Sequence, residues 1–150
     1  MAVRGKPQRI WRYWLMTATI ALMGFGMVTI AFPVLTKQAF SFLIFGNASV
    51  TDRFGTEASR YLSFVYGVLG ATIVGWGLTI LLVIKGPFSE GKRIGWLIIA
   101  VPLLVWFVLD SGYSLFSGYA SNIVLNAGLL VLFAVPLVAT FGYFFKDTSP

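Results

Sequence analysis

The chain of 150 residues contains neither cysteine nor histidine. Without a thiol it can form no disulfide and no thiolate metal site. Without an imidazole it lacks the usual axial ligand of a membrane haem and the commonest acid–base group near neutral pH. These absences predict a protein with no metal site and no cofactor.

Charged residues are also scarce, at 11% of the chain, whereas 58% of the residues are hydrophobic. A soluble domain carries roughly 25% charged residues. Residues 13–36 and 61–84 are each 24 residues long without a single charge. A helix needs about 20 apolar residues to cross a bilayer core of ~30 Å, so both segments qualify as transmembrane helices.

Further apolar sequence follows these two runs, and four spans account for it. We predict an all-α fold: a single membrane domain made of a four-helix transmembrane bundle. The four predicted helices lie at about 13–35, 61–84, 94–118 and 121–145. The predicted outer loop lies at about 37–60.

The basic residues predict the orientation of these helices. The net charge is +6, but the basic residues cluster at helix ends and not on one soluble face, which argues against nucleic-acid binding. The positive-inside rule predicts that the N and C termini are both cytoplasmic. It places eight of the eleven basic residues inside, Arg4, Lys6, Arg9, Arg12, Lys85, Lys92, Arg93 and Lys146, and three outside, Lys37, Arg53 and Arg60.

Asp110 is the only acidic residue that lies against long apolar sequence. A carboxylate there is costly to bury, so it needs a partner or a function. The segment 94–109 has only 16 residues, or ~24 Å of helix, which is short of a bilayer core. We therefore expect the helix to continue to about residue 118, with Asp110 inside the outer leaflet. The alternative is a helix that ends at Asp110 in a thinned membrane.

Polar residues recur around Asp110 at helical spacing. On a continuous third helix, one face carries Trp106, Asp110, Ser114 and Ser117, and the fourth helix carries Asn122 and Asn126. A hairpin turn near Gly118 would bring these six side chains together, with Asn126 near Asp110 and Asn122 near Ser117. Arg60, at the outer entrance of the second span, is the expected cation for Asp110.

Two interpretations of this cluster stay open. The side chains form either a network that cross-links the helices or a pocket for an ion, a proton or a small ligand. One carboxylate without a second acid, a histidine or a cysteine provides neither a paired acid–base system nor an activated nucleophile. We therefore predict that the protein is not an enzyme.

Small residues form a strip on the second span. Gly67, Ala71 and Gly75 are four residues apart, so they share one helix face on which another backbone can come close. Such a strip is typical of helix packing, either inside the chain or between copies.

One pattern in the sequence comprises 106–111, Ser114, Gly118, Asn122, Asn126 and 133–137, together with 67–71 and 75–77. It resembles a pattern in small uncharacterised bacterial four-helix membrane proteins. This resemblance implies a multi-pass protein of the bacterial inner (plasma) membrane, and it implies no particular activity.

Two functional hypotheses follow. The first is a non-enzymatic integral membrane protein, in contact with the lipid bilayer, that acts by helix association as an accessory subunit or a homo-oligomer. The second is a small transporter, or a membrane protein that binds a lipid or another small ligand through the cluster around Asp110.

Overall fold

The computed structural model describes residues 9–46 and 50–145, apart from the side chains of residues 50–54. This part of the chain is all-helical and contains no strand, which confirms the predicted all-α fold. Its elements are α1 (Arg9–Ala31), α2 (Pro33–Phe45), α3 (Val50–Val83), a π-helical turn (Ile84–Phe88), α4 (Arg93–Phe116) and α5 (Ser121–Phe145).

Four of the described helices are long and apolar enough to cross a membrane. They cover Arg9–Ala31, Gly55–Phe88, Arg93–Phe116 and Ser121–Phe145, with 23, 34, 24 and 25 residues. The expected number of candidate spans is therefore found. The bundle arrangement and the cytoplasmic termini stay predictions.

The first helix ends earlier than expected, at Ala31 instead of about residue 35. The residue before a proline avoids the α-helical region, and Phe32, which precedes Pro33, has φ −130° and ψ 58°. Pro33 itself begins α2, because a helix tolerates proline in its first turn. The segment predicted as an outer loop therefore contains α2 and the start of α3.

Two glycines in this region end or interrupt a helix. Gly46 ends α2 in the left-handed conformation, with φ 68°. Gly55 interrupts the helical geometry of α3, with φ 75° and ψ 171°, a conformation that is accessible mainly to glycine. The apolar span counted from Gly55 thus begins at a real change of backbone direction.

The described residues fall into two compact units. Residues 9–20 and 79–145 form the first unit, and residues 21–46 and 50–78 form the second. In the first unit, α4 and α5 are joined by a short turn at Gly118, with φ 81°, and pack as an antiparallel hairpin. Asp110 lies within α4, six residues before the last residue of that helix.

The first unit is held together by indole hydrogen bonds as well as by its apolar core. Pro136 has no backbone N–H, so the carbonyl of Leu132 loses its partner one turn later in α5. Trp14 of α1 donates its Nε1–H to that carbonyl at 2.9 Å. Trp96 of α4 also donates its Nε1–H to a backbone carbonyl of α5, that of Leu137, at 2.9 Å. The proline thus creates an acceptor that fixes α1 against α5.

In the second unit, α1 and α3 approach each other closely at two glycines. A Cβ atom built on Gly26 would lie 2.8 Å from the carbonyl oxygen of Gly70, and a Cβ on Gly70 would lie 2.6 Å from that of Gly26. Real Cβ atoms do not approach other atoms so closely, so the two backbones need glycine at both positions. Small residues at helix interfaces allow such packing.

We predict that Gly70→Ala will lower the free energy of unfolding by about 1–3 kcal/mol, because the added methyl group overpacks the α1–α3 contact. Gly67→Ala is the matched control. Nothing among the described residues lies within 4 Å of a Cβ at Gly67, and alanine favours a helix by up to about 1 kcal/mol.

The measurement is reversible unfolding by sodium dodecyl sulfate in mixed micelles, followed by circular dichroism. Equal effects of the two substitutions would contradict the proposed close contact.

Candidate functional site

One carboxylate oxygen is the centre of the polar cluster in the first unit. Oδ1 of Asp110 accepts hydrogen bonds from Ser114 Oγ at 3.2 Å, from Asn122 Nδ2 at 2.8 Å and from Asn126 Nδ2 at 2.9 Å. One donor is in α4 and two are in α5, so a single atom joins the two helices.

Helical spacing explains why these residues meet. Ser114 is one turn after Asp110 on α4, and Asn126 is one turn after Asn122 on α5. The turn at Gly118 is closed by a hydrogen bond from the backbone N–H of Tyr119 to the carbonyl of Ser114, at 2.8 Å. The short connection therefore places the first turns of α5 beside the last turns of α4.

Two further hydrogen bonds complete the cluster. Asn122 also donates to Ser114 Oγ at 2.9 Å, and Asn126 also donates to Ser111 Oγ at 3.2 Å. Ser111 was not predicted as a member. Its position next to Asp110 was the only signal in the sequence.

The remaining predicted residues, Ser117, Trp106 and Arg60, are not among the donors to Oδ1 of Asp110. Ser117 lies at the C-terminal cap of α4, where its backbone N–H bonds to the carbonyl of Tyr113 at 2.9 Å; Asn122, expected near it, bonds to Asp110 and Ser114 instead. Trp106 is half-buried on α4, one turn before Asp110. Arg60 belongs to the other unit, and its pairing with Asp110 stays a prediction.

Burial differs across the cluster. Ser114 and Asn126 are buried, with 6% and 5% of their surfaces exposed, whereas Asp110 is half-buried. No described residue donates a hydrogen bond to the second carboxylate oxygen, Oδ2. The carboxyl group therefore has one oxygen that serves the fold and one that is open to another partner.

We predict that Asp110→Ala will lower the free energy of unfolding by about 1–3 kcal/mol, because it leaves amide donors unpaired, one of them buried. Asp110→Asn will lower it by less than about 1 kcal/mol, because the side-chain carbonyl oxygen remains as an acceptor for the donors that meet there.

Ser117→Ala, at the end of the same helix, is the control and should change the value by less than about 0.5 kcal/mol. Unfolding in mixed micelles checks all three variants. An Asp110→Ala variant as stable as the control would contradict the assigned role of Oδ1.

A second polar cluster, in the second unit, was missed by the sequence analysis. Lys37 of α2 is only 7% exposed, although it was assigned to the outer loop. Its ammonium group donates to Ser59 Oγ at 2.5 Å, to the Ser59 carbonyl at 3.2 Å and to Ser63 Oγ at 3.3 Å. The two serines are one turn apart on α3, and that spacing was the available signal.

In the described part of the chain, the acceptors that surround the Lys37 ammonium group are neutral. An ion pair does join Lys92 and Glu90 at 2.6 Å, but it lies on an exposed surface far along the chain. A buried ammonium group with neutral partners keeps its desolvation cost without a compensating charge. Its three hydrogen bonds nevertheless use all three of its donors, so it ties α2 to α3.

We predict that Ser59→Ala will lower the free energy of unfolding by about 1.5–3 kcal/mol, because the hydroxyl accepts a hydrogen bond from a buried charge. Lys37→Met should lower that energy by less than Ser59→Ala does, because it removes the buried charge and its desolvation cost together with the hydrogen bonds and leaves an apolar side chain of similar length.

The same unfolding titration measures both variants. Destabilisation by Lys37→Met as large as that by Ser59→Ala would show that the ammonium charge is itself stabilising, against this account.

Two further sequence predictions concern metal binding and the small-residue strip of α3. The described residues contain no group of three or more acidic side chains that could hold a metal ion. The strip Gly67, Ala71 and Gly75 does not provide the α1–α3 contact, which uses Gly26 and Gly70 instead.

Comparisons with protein-family models, curated proteins and solved structures found no match. The resemblance to small bacterial four-helix membrane proteins therefore stays a prediction, and the geometry carries the functional argument.

Proposed function

We propose that this protein is a non-enzymatic, multi-pass membrane protein that acts by helix association, either as an accessory subunit of a larger assembly or as a homo-oligomer. Four apolar helices, each long enough to cross a membrane, make up most of these 150 residues. The most direct contact that such a protein offers to a partner is the side of a helix.

One face of α3 carries this proposal. Gly67 and Ala71, together with Gly75, share a helix face, whereas the contact with α1 uses Gly70, which points in a different direction. Ala71 is exposed, and nothing among the described residues lies within 4 Å of a Cβ at Gly67. Small residues on an exposed helix face let a second membrane helix approach closely, where van der Waals packing stabilises the pair.

The proposal includes the orientation of the helices in the membrane. Arg9, Arg12, Lys85, Lys92 and Arg93 lie at the start of α1 and between α3 and α4, while Arg4, Lys6 and Lys146 are outside the described residues. If the segments that carry these basic residues are in the cytoplasm, both termini are cytoplasmic and the turn at Gly118 is on the outer side. We place the protein in a bacterial inner membrane by its resemblance to the small four-helix proteins.

The hydrogen bonds of Asp110 favour association over transport. Three donors on Oδ1 fix the α4–α5 hairpin, which is a structural use of the carboxyl group. A second candidate function, a transporter or a binder of a lipid or another small ligand, is favoured by one observation, the open Oδ2 of the half-buried Asp110.

We predict that Ala71→Ile will weaken association, because a branched side chain prevents the close approach of a second helix. Leu69→Phe is the matched control: Leu69 is exposed but lies on the opposite side of α3. The measurement is native mass spectrometry of gently extracted protein, together with single-molecule photobleaching in bilayers.

A wild-type assembly that dissociates with Ala71→Ile and persists with Leu69→Phe is the expected result. A monomeric wild type without any protein partner would contradict the proposed function.

A further inference from the structure

The carboxyl group of Asp110 accepts hydrogen bonds on only one of its two oxygens among the described residues. Its Oδ1 is occupied by a hydroxyl and two amides, which are neutral donors. Its Oδ2 receives no hydrogen bond from the described residues. Charged side chains in membrane segments pair with one another or face the interior of an assembly.

The side chains that neighbour Asp110 on α4 are large, apolar or aromatic, and exposed. The neighbouring side chains of Val108, Leu109 and Tyr113 are exposed to 65%, 67% and 73% of their surfaces. This part of α4 is therefore an apolar outer surface, and the half-buried carboxyl group lies at its edge. A partner that packs here would remove Oδ2 from lipid and would have to offer it a hydrogen-bond donor.

The ion pair found among the described residues is that of Lys92 with Glu90, and it does not involve Asp110. Within α4, the basic residue is Arg93, at the start of the helix. Arg93 and Asp110 are 17 positions apart on one helix, which corresponds to ~25 Å along its axis. A basic side chain cannot bridge that distance.

We propose that Asp110 Oδ2 binds a lysine or arginine side chain of a partner membrane helix that packs beside the Gly118 end of the α4–α5 hairpin. The inference rests on the proposed function, because it names the chemistry of the partner in that association. Charge complementarity supports it: a carboxylate and a basic side chain are each unfavourable in lipid, and pairing offsets part of both penalties. The three bonds to Oδ1 hold the acceptor in place.

The test uses a designed transmembrane peptide of leucine and alanine that carries one lysine at the depth of Asp110. A second peptide with glutamine at that position is the control. Binding to the full-length protein is measured by fluorescence energy transfer in nanodiscs of zwitterionic lipid. We expect the lysine peptide to bind the wild type about tenfold more tightly than the glutamine peptide, equivalent to ~1.4 kcal/mol.

The variant Asp110→Asn isolates Oδ2. It keeps the oxygen that accepts the three hydrogen bonds and replaces the other oxygen with an amide, so the hairpin stays folded, which circular dichroism verifies. The preference for lysine should disappear in this variant. A preference that persists in Asp110→Asn, or no preference in the wild type, would overturn the inference.

Arg60→Gln provides a further control, because Arg60 was the cation predicted from the sequence. Unchanged binding of the lysine peptide would support an external partner for Asp110. Tighter binding than to the wild type would show that Arg60 already occupies the carboxylate, and would overturn the inference.

The proposed function fails separately from this inference. If the wild type forms an assembly that Asp110→Asn leaves intact and the peptides show no preference, association stands and only the basic partner side chain is excluded.

Discussion

The structure depends on one constraint: a polar group in an apolar helix needs a partner inside the protein, because lipid offers none. Asp110 meets this constraint with three donors on Oδ1, contributed by Ser114, Asn122 and Asn126. The α4–α5 hairpin follows from it, since two of the donors lie across the turn. The same constraint explains why Trp14 of α1 donates to the carbonyl that Pro136 leaves unpaired in α5.

Lys37 shows the same constraint met in another way. Its ammonium group uses two serines of α3 and a backbone carbonyl, and so it holds α2 in the second unit. Asp110 and Lys37 therefore both act as tethers between helices. They differ in the hydrogen-bonding groups that stay unused. All three donors of the Lys37 ammonium group are occupied, whereas Oδ2 of Asp110 accepts no hydrogen bond from the described residues. That difference makes Asp110 the better candidate for a functional contact.

The sequence alone predicted the candidate spans, because uncharged apolar runs of about 20 residues are typical of transmembrane helices. It also predicted most of the Asp110 cluster, since positions four apart share a helix face. Ser111 and the Asn122–Asp110 bond were missed, because they depend on the rotation of α5 against α4. Lys37 and α2 were missed because a short helix inside a mixed segment has no distinct pattern.

The choice among glycines shows the same limit. Regular spacing singled out Gly67, Ala71 and Gly75, whereas Gly26 and Gly70 form the contact between α1 and α3. Which face of a helix meets its neighbour depends on tertiary packing, which spacing on one helix cannot specify. We therefore propose that the strip found from the sequence serves association with another helix.

Site-specific photo-cross-linking in intact membranes tests that assignment most directly. A benzophenone amino acid is placed at position 71 on the small-residue face of α3, or at position 69 on the opposite side. The account predicts one adduct of defined mass from position 71 and none from position 69. Equal adducts from both positions, or only lipid adducts from position 71, would contradict association through this face.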